Sequence, residues 1–233
     1  MHKPSPSKVE TALLQPFIGL PLNCISVPKT RAKFAEALTA IQDSAFVGFD
    51  TESRPTFTKG QRSEGPHVVQ FSTLNRAFIF QLHRSEGHEI LAEILASKTI
   101  VKVGFGLTVD QGQIRQRLGM RLQSVLDLDR IFRKDGYCHT LGVRAAIALV
   151  LNQKFHKSRR VTVSNWAAPD LTDTQLLYAA NDAYAALRVL IALESQRPYE
   201  ILPIADLSHR LGRPQQRRAK SRTTRGSRRG SLQ

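Results

Sequence analysis

Cysteine is scarce in this chain of 233 residues; the two present, Cys24 and Cys138, lie far apart and match no zinc-ligand spacing. A disulfide framework and a structural zinc site are therefore not expected. Cys138 and His139 are neighbouring ligand types without further partners, and they read as ordinary loop or core residues. Long apolar runs are missing too, for no stretch approaches the ~18 residues that cross a bilayer. The opening residues, MHKPSPSKVETALLQPF, carry prolines and a glutamate where a signal peptide needs an unbroken apolar segment. A cytoplasmic protein without a membrane partner is expected, with association with a nucleoid or nucleus left open. The sequence VGFGLTVD lacks the third glycine of a dinucleotide-binding fingerprint. Its two glycines are expected instead to permit close backbone packing beside Asp110.

Acidic residues are the remaining shortage. There are 34 Lys and Arg against 19 Asp and Glu, a net charge of +15. Nine of the basic residues and none of the acids fall between His209 and Gln233, which leaves 25 against 19, or +6, for the rest. The segment HRLGRPQQRRAKSRTTRGSRRGSLQ is rich in Arg, Ser and Gly and cannot bury enough apolar surface to fold alone. One reading is a solubilising extension. The other is a contact to a polyanion such as nucleic acid, independent of sequence and weakened by salt.

What remains is ordinary for a globular domain, with 41% hydrophobic residues. Periodicity predicts three parts: a leader over 1–29, loosely structured and docked through Leu14, Phe17, Ile18 and Leu20; a domain over 30–200; and the basic, disordered tail over 201–233. Within the domain, the pattern predicts a helix from Thr30 to Ile41 and a buried strand from Phe46 to Thr51. A hairpin follows, with strands Val68–Ser72 and Ala77–Leu82. Helices over His88–Ala96, Asp110–Leu118 and Leu141–Leu151 alternate with strands over Ile100–Phe105 and Ser124–Leu128. Thr172 and Gln175 form a capping box that opens a long helix from Asp173 to Ser195. This order predicts an α/β three-layer fold with a central mixed sheet flanked by helices.

Four acids and one tyrosine break the apolar pattern. Asp50 and Glu52 end the run FVGFDTE, where residues two apart share a strand face. Two carboxylates so close remain ionised together only with a cation between them. Tyr178 and Asp182, four apart, share one face of the helix LLYAANDAYAAL. Asp110 follows the strand VKVGF closely enough to reach the same sheet edge. Asp127 and Asp129 repeat the two-residue spacing, yet they are read as supporting or helix-capping groups. Acids converging in this way suit divalent cations and phosphodiester chemistry.

These segments, FDTES, VGFGLTVDQGQI and SNWAAPDLTDTQLLYAANDAYAAL, resemble in order and spacing the three exonuclease motifs of the DEDD superfamily. The Tyr-x-x-x-Asp form of the third marks the tyrosine subclass, and the similarity is to Werner-type exonuclease domains and the ribonuclease D catalytic domain. It covers roughly Phe17 to Leu193. The resemblance implies a ribonuclease H-like fold and metal-dependent 3′–5′ exonuclease action on DNA or RNA 3′ ends, releasing nucleoside 5′-monophosphates. It implies two divalent cations, Mg²⁺ or Mn²⁺. Asp50, Glu52 and Asp182 would hold the first, and Asp50 and Asp110 the second, while Tyr178 orients the attacking water. Lys157, Arg159 and Arg160 are candidates to hold backbone phosphates, although a solvated basic loop fits them as well. Phe57 and Trp166 are candidates to stack on terminal bases, although single aromatics are more often core. Two rivals stand beside this reading: a catalytically silent nucleic-acid-binding module on the same fold, and a scaffold whose tail binds acidic partners.

Overall fold

The run FVGFDTE forms β3 (Phe46–Glu52), the strand about which the molecule is built. A computed structural model describes residues 3–56, 58, 60, 63–137 and 140–197. Phe57, Cys138, His139 and the basic tail lie outside the described residues. Strand β3 pairs antiparallel with β4 (Val68–Ser72), which turns through Thr73–Arg76 into β5 (Ala77–Gln81). On its other side β3 runs parallel with β6 (Val101–Gly104), and β6 with β7 (Val125–Asp127). A two-residue strand, β2 (Ile25–Ser26), lies parallel to β5 at the far edge, so the six-stranded sheet has the order β2-β5-β4-β3-β6-β7. The sheet is mixed, as expected.

Alternation along β3 divides the core. Val47 and Phe49 point to one face, where Phe71 and Phe80 meet Phe34 and Ile41 of α2 (Arg31–Gln42) and Leu91 and Ile94 of α3 (His88–Ala96). Phe46 points to the other face and packs with α6 (Val143–Leu151) and α8 (Asp173–Gln196). Strands β4 and β5 are buried throughout because both faces are covered, which is why they read as near-continuous apolar runs. The C-terminal end of α3 is finished by a lysine rather than a glycine. Lys102, fully buried in β6, donates to the carbonyls of Ser97, Ile100 and Ile94 at 2.7, 2.9 and 3.3 Å.

Helix α8 opens at the expected capping box. Gln175 N–H donates to Thr172 Oγ1 at 3.3 Å, and Thr172 N–H to Gln175 Oε1 at 3.0 Å. Contrary to the expectation that no such segment exists, its length and composition would suffice to cross a membrane. Its position answers otherwise: 67% of its most apolar stretch is buried inside the protein, as for a core helix.

The leader is more ordered than its composition suggests. A capping box of Ser7 and Glu10 opens α1 (Lys8–Ala12), and β1 (Gln15–Pro16) pairs parallel with β8 (Gln153–Lys154). Phe17 meets Phe155 edge-on at 5.5 Å, and the N–H of the buried Leu20 donates to Asn181 Oδ1 at 2.6 Å. Ile18, expected to dock with them, is 79% exposed, because the chain is extended there and alternate side chains point outward. Two short helices lie where no periodicity announces one: α5 (Asp129–Lys134) and α7 (Arg159–Thr162), of six and four residues, are too short to show an apolar stripe. Helix α6 begins two residues later than expected. Gly142 is its N-cap, and the N–H of Leu141 is spent on Asp129 Oδ1 at 2.8 Å.

Candidate active site

Gly48 decides where the acids meet. It shares a face of β3 with Asp50 and Glu52, and a Cβ placed on it would lie 1.9 Å from the Ala183 carbonyl oxygen. The bare strand thus lets the α8 backbone settle directly on β3, and Asp182, next to Ala183, arrives beside Asp50 and Glu52. One oxygen from each of these three carboxylates lies within 4.8 Å of the others. Asp182 is 4% exposed and Glu52 8%.

Burial drives the Asp50 carboxyl well above its ordinary range, and Asp182 and Asp110 add repulsion. Glu52 is pushed up to about 9 by burial, then by Asp50 and Asp182. Burial also raises Asp182, against the opposing pull of Lys157. The Lys157 ammonium lies 2.7 Å from Asp182 Oδ2, yet neither carboxylate oxygen of Asp182 has an aligned hydrogen bond among the described residues. Burial works against that ammonium, but Asp182 and Asp50 outweigh it and hold its pKa above the usual lysine value. Three converging, desolvated and mutually repelling oxygen donors of this kind suit a hard divalent cation. The residues fit the ion that the sequence implies.

Asp110 stands one step outside this trio. It lies in the first turn of α4 (Thr108–Leu118), and its Oδ1 accepts a hydrogen bond from the hydroxyl of Thr51. Thr51 falls between Asp50 and Glu52 and so projects from the opposite strand face. Burial raises the Asp110 carboxyl while the Thr51 hydroxyl pulls it down. The turn before α4 is set by Gly106, at φ 67°, in the left-handed region that glycine enters without strain. Asp127 secures that turn, accepting from the N–H groups of Gly106 and Leu107 at 2.9 and 3.1 Å. Asp129 pairs with Arg133 at 2.7 Å. The second acidic pair therefore supports the backbone, as its sequence context suggested.

Tyr178 sits in a bracket. Its hydroxyl lies 2.8 Å from Thr162 Oγ1, Lys157 Nζ stands 5.2 Å from its ring centroid, and the Trp166 ring is tilted against it at 5.8 Å. Burial pushes the phenol up to about 12, with Asp182 adding to the effect. Trp166, expected as a base-stacking residue, is 1% exposed and donates its Nε1–H to the Thr162 carbonyl at 3.2 Å. A ring so enclosed has no face to offer a base, and the core alternative applies. Arg159 and Arg160 are exposed on α7, and Phe57 lies outside the described residues.

Two further side chains have no counterpart in the sequence reading. Thr162 gives no signal in sequence, since a hydroxyl in a basic loop is commonplace. Gln70 does give one: it interrupts the apolar strand VVQFS as Asp182 interrupts its helix. It lies directly across from Asp50, fully buried, and both amide atoms lack a hydrogen-bond partner among the described residues.

A mixed sheet flanked by helices, with acids meeting where a long helix crosses the central strand, defines a ribonuclease H-like fold. The 3′–5′ exonuclease family model matches residues 25–197, and the chain belongs to that family. It is 30% identical over 149 residues to the mouse (Mus musculus) bifunctional 3′–5′ exonuclease/ATP-dependent helicase WRN, covering 63% of this chain and 11% of that protein. It is 31% identical over 144 residues to a 3′–5′ exonuclease of Arabidopsis thaliana, covering 61% of this chain and 50% of that one. The chain thus spans half the length or less of these relatives. Among solved structures, it resembles the EXO domain of Aedes aegypti Nibbler with a TM-score of 0.65 and 22% identity, covering 77% of this chain and 91% of that domain. It resembles Trypanosoma brucei RNase D in complex with RNA U12 with a TM-score of 0.67 and 20% identity, covering 79% and 68%. These two likenesses concern the fold.

Proposed function

We propose that the protein is a metal-dependent 3′–5′ exonuclease that removes nucleoside 5′-monophosphates from the 3′ end of DNA or RNA. The observation that carries this reading is the convergence of half-buried Asp50 with buried Glu52 and Asp182 within 4.8 Å. Asp50, Glu52 and Asp182 would hold one Mg²⁺ or Mn²⁺ ion, with Asp50 and Asp110 toward a second. When bound, such ions supply Lewis acidity for a water nucleophile and neutralise charge on the leaving 3′ oxygen.

The chain's own residues do the rest. Tyr178, whose phenol keeps its proton at neutral pH, orients the attacking water rather than deprotonating it. Lys157 gives the cluster a positive charge that can meet the scissile phosphate, and Arg159 and Arg160 offer exposed guanidinium groups to the backbone beyond it. The basic segment from His209 onward adds a salt-sensitive contact to the strand. RNA in complex with the structural neighbour from Trypanosoma brucei supports a polynucleotide substrate.

Digestion of 5′-labelled DNA and RNA oligonucleotides with Mg²⁺ or Mn²⁺ tests the reading. A ladder shortening from the 3′ end is expected, abolished by Asp182→Asn with binding retained. Intact substrates under every metal condition would overturn it.

A further inference from the structure

The hydroxyl of Thr162 has one proton and two neighbours. Thr162 Oγ1 lies 3.0 Å from the carbonyl oxygen of Ser158, four residues back at the start of α7. A carbonyl only accepts, so the threonine proton goes there. The second neighbour of Oγ1 is the Tyr178 hydroxyl at 2.8 Å. With its own proton committed, Thr162 can only accept from the phenol. The Tyr178 proton therefore points to Thr162 and not to Asp182, and the lone pairs of the phenol oxygen are left to accept.

We infer that Thr162 is a positioning residue: it draws the Tyr178 proton away from Asp182, so that the phenol oxygen faces the acid cluster as a hydrogen-bond acceptor. The competing acceptor is Asp182, one helical turn beyond Tyr178 on the same face of α8. Without Thr162 the single phenolic proton turns to that carboxylate. The phenol then donates into the cluster instead of accepting from a water. The surroundings keep the ring from following, since Trp166 packs against it and is itself tied to the Thr162 carbonyl. The catalytic part of the inference rests on the exonuclease reading; the direction of the hydrogen bond does not.

The test uses the full chain with Thr162→Val, which keeps the shape and removes the hydroxyl, and Thr162→Ser, which restores it. The first readout is the ¹³Cζ NMR signal of Tyr178, assigned by its loss in Tyr178→Phe and measured without metal. It should move in the valine variant and return in the serine variant. The second is mononucleotide release with Mn²⁺. We expect kcat to fall at least about ten-fold in Thr162→Val, with KM within about two-fold, and serine to recover most of the loss. An unmoved Cζ signal overturns the hydrogen-bond assignment, and a moved signal with unchanged kcat overturns the positioning role. A fall confined to KM overturns that role as well. An inactive wild type overturns the exonuclease reading, and the positioning role with it, while the NMR comparison still decides the bond.

Discussion

Lys157 Nζ lies 2.7 Å from Asp182 Oδ2 in the middle of an acidic cluster. Opposite charges at this distance in a partly desolvated site attract strongly, and removing one partner leaves the other uncompensated. The lysine is an internal counter-charge for acids that otherwise repel one another.

Lys157→Met should therefore destabilise the protein in EDTA by about 1–3 kcal/mol, below the range for a fully buried pair because the lysine side chain is 29% exposed. Urea unfolding measures it. The loss should largely vanish in an Asp182→Asn background, where the charge to be compensated is gone. Equal losses in both backgrounds would mean that the pair does not interact as described.

Gly48→Ala tests the contact that brings strand and helix together. The added methyl carbon meets the Ala183 carbonyl oxygen at 1.9 Å, so α8 has to move away from β3. A loss of about 2–3 kcal/mol is expected from the overpacking, together with loss of metal-dependent nuclease activity as Asp182 is carried from its partners. Calorimetry and digestion report the two effects separately. A variant of wild-type stability would show that the helix is not seated on this glycine.

The raised Glu52 carboxyl fixes a pH dependence for the metal-free protein. A group near 4.5 when unfolded and about 9 when folded binds more protons in the folded state throughout that interval. Its contribution to stability is present below about 4.5 and is lost as pH rises toward 9. Thermal midpoints in EDTA should decline between these values, and Glu52→Gln should flatten the decline. Mn²⁺ should flatten it too, by compensating the ionised acids. A profile insensitive to both changes would contradict the clustering.

Lys102 has the opposite sign. Burial lowers its ammonium from 10.5 to about 8, so the folded state binds fewer protons than the unfolded chain between those values. Stability attributable to this group is present above 10.5 and is lost as pH falls through 8. Relative to Lys102→Met, the wild type should gain stability between pH 8 and 10.5. The same variant should speed amide exchange at the end of α3 and in the turn leading to β6, where the carbonyls of Ile94, Ser97 and Ile100 lose their donor.

The strands, the long helix and its capping box were legible because each is a strong local pattern. FVGFDTE alternates in register with its two faces, and Thr172 and Gln175 announce α8 one residue before it begins. The acids were legible as charges in apolar runs. Trp166 carries two readings in the sequence, stacking and core, because burial depends on what packs over a residue and nothing local reveals the Tyr178 ring beside it. Thr162 was invisible for the same reason, its partner being sixteen residues away. Asp110 could be placed near the cluster but not in it, since its bond to Thr51 depends on how the α4 turn is held by Asp127.

The pairing of β1 with β8 gives the leader a mechanical office. Residues 15 and 16 are zipped to residues 153 and 154, three positions before Lys157 and five before the helix that carries Thr162. The family match begins at residue 25, so the leader's half of this splint lies outside the matched residues. A version trimmed to the matched residues keeps every acid but unfastens one end of the loop that steers Tyr178 and neutralises Asp182. Such a trimmed domain should bind metal and turn over poorly, an enzyme with its parts intact and its hinge pin drawn.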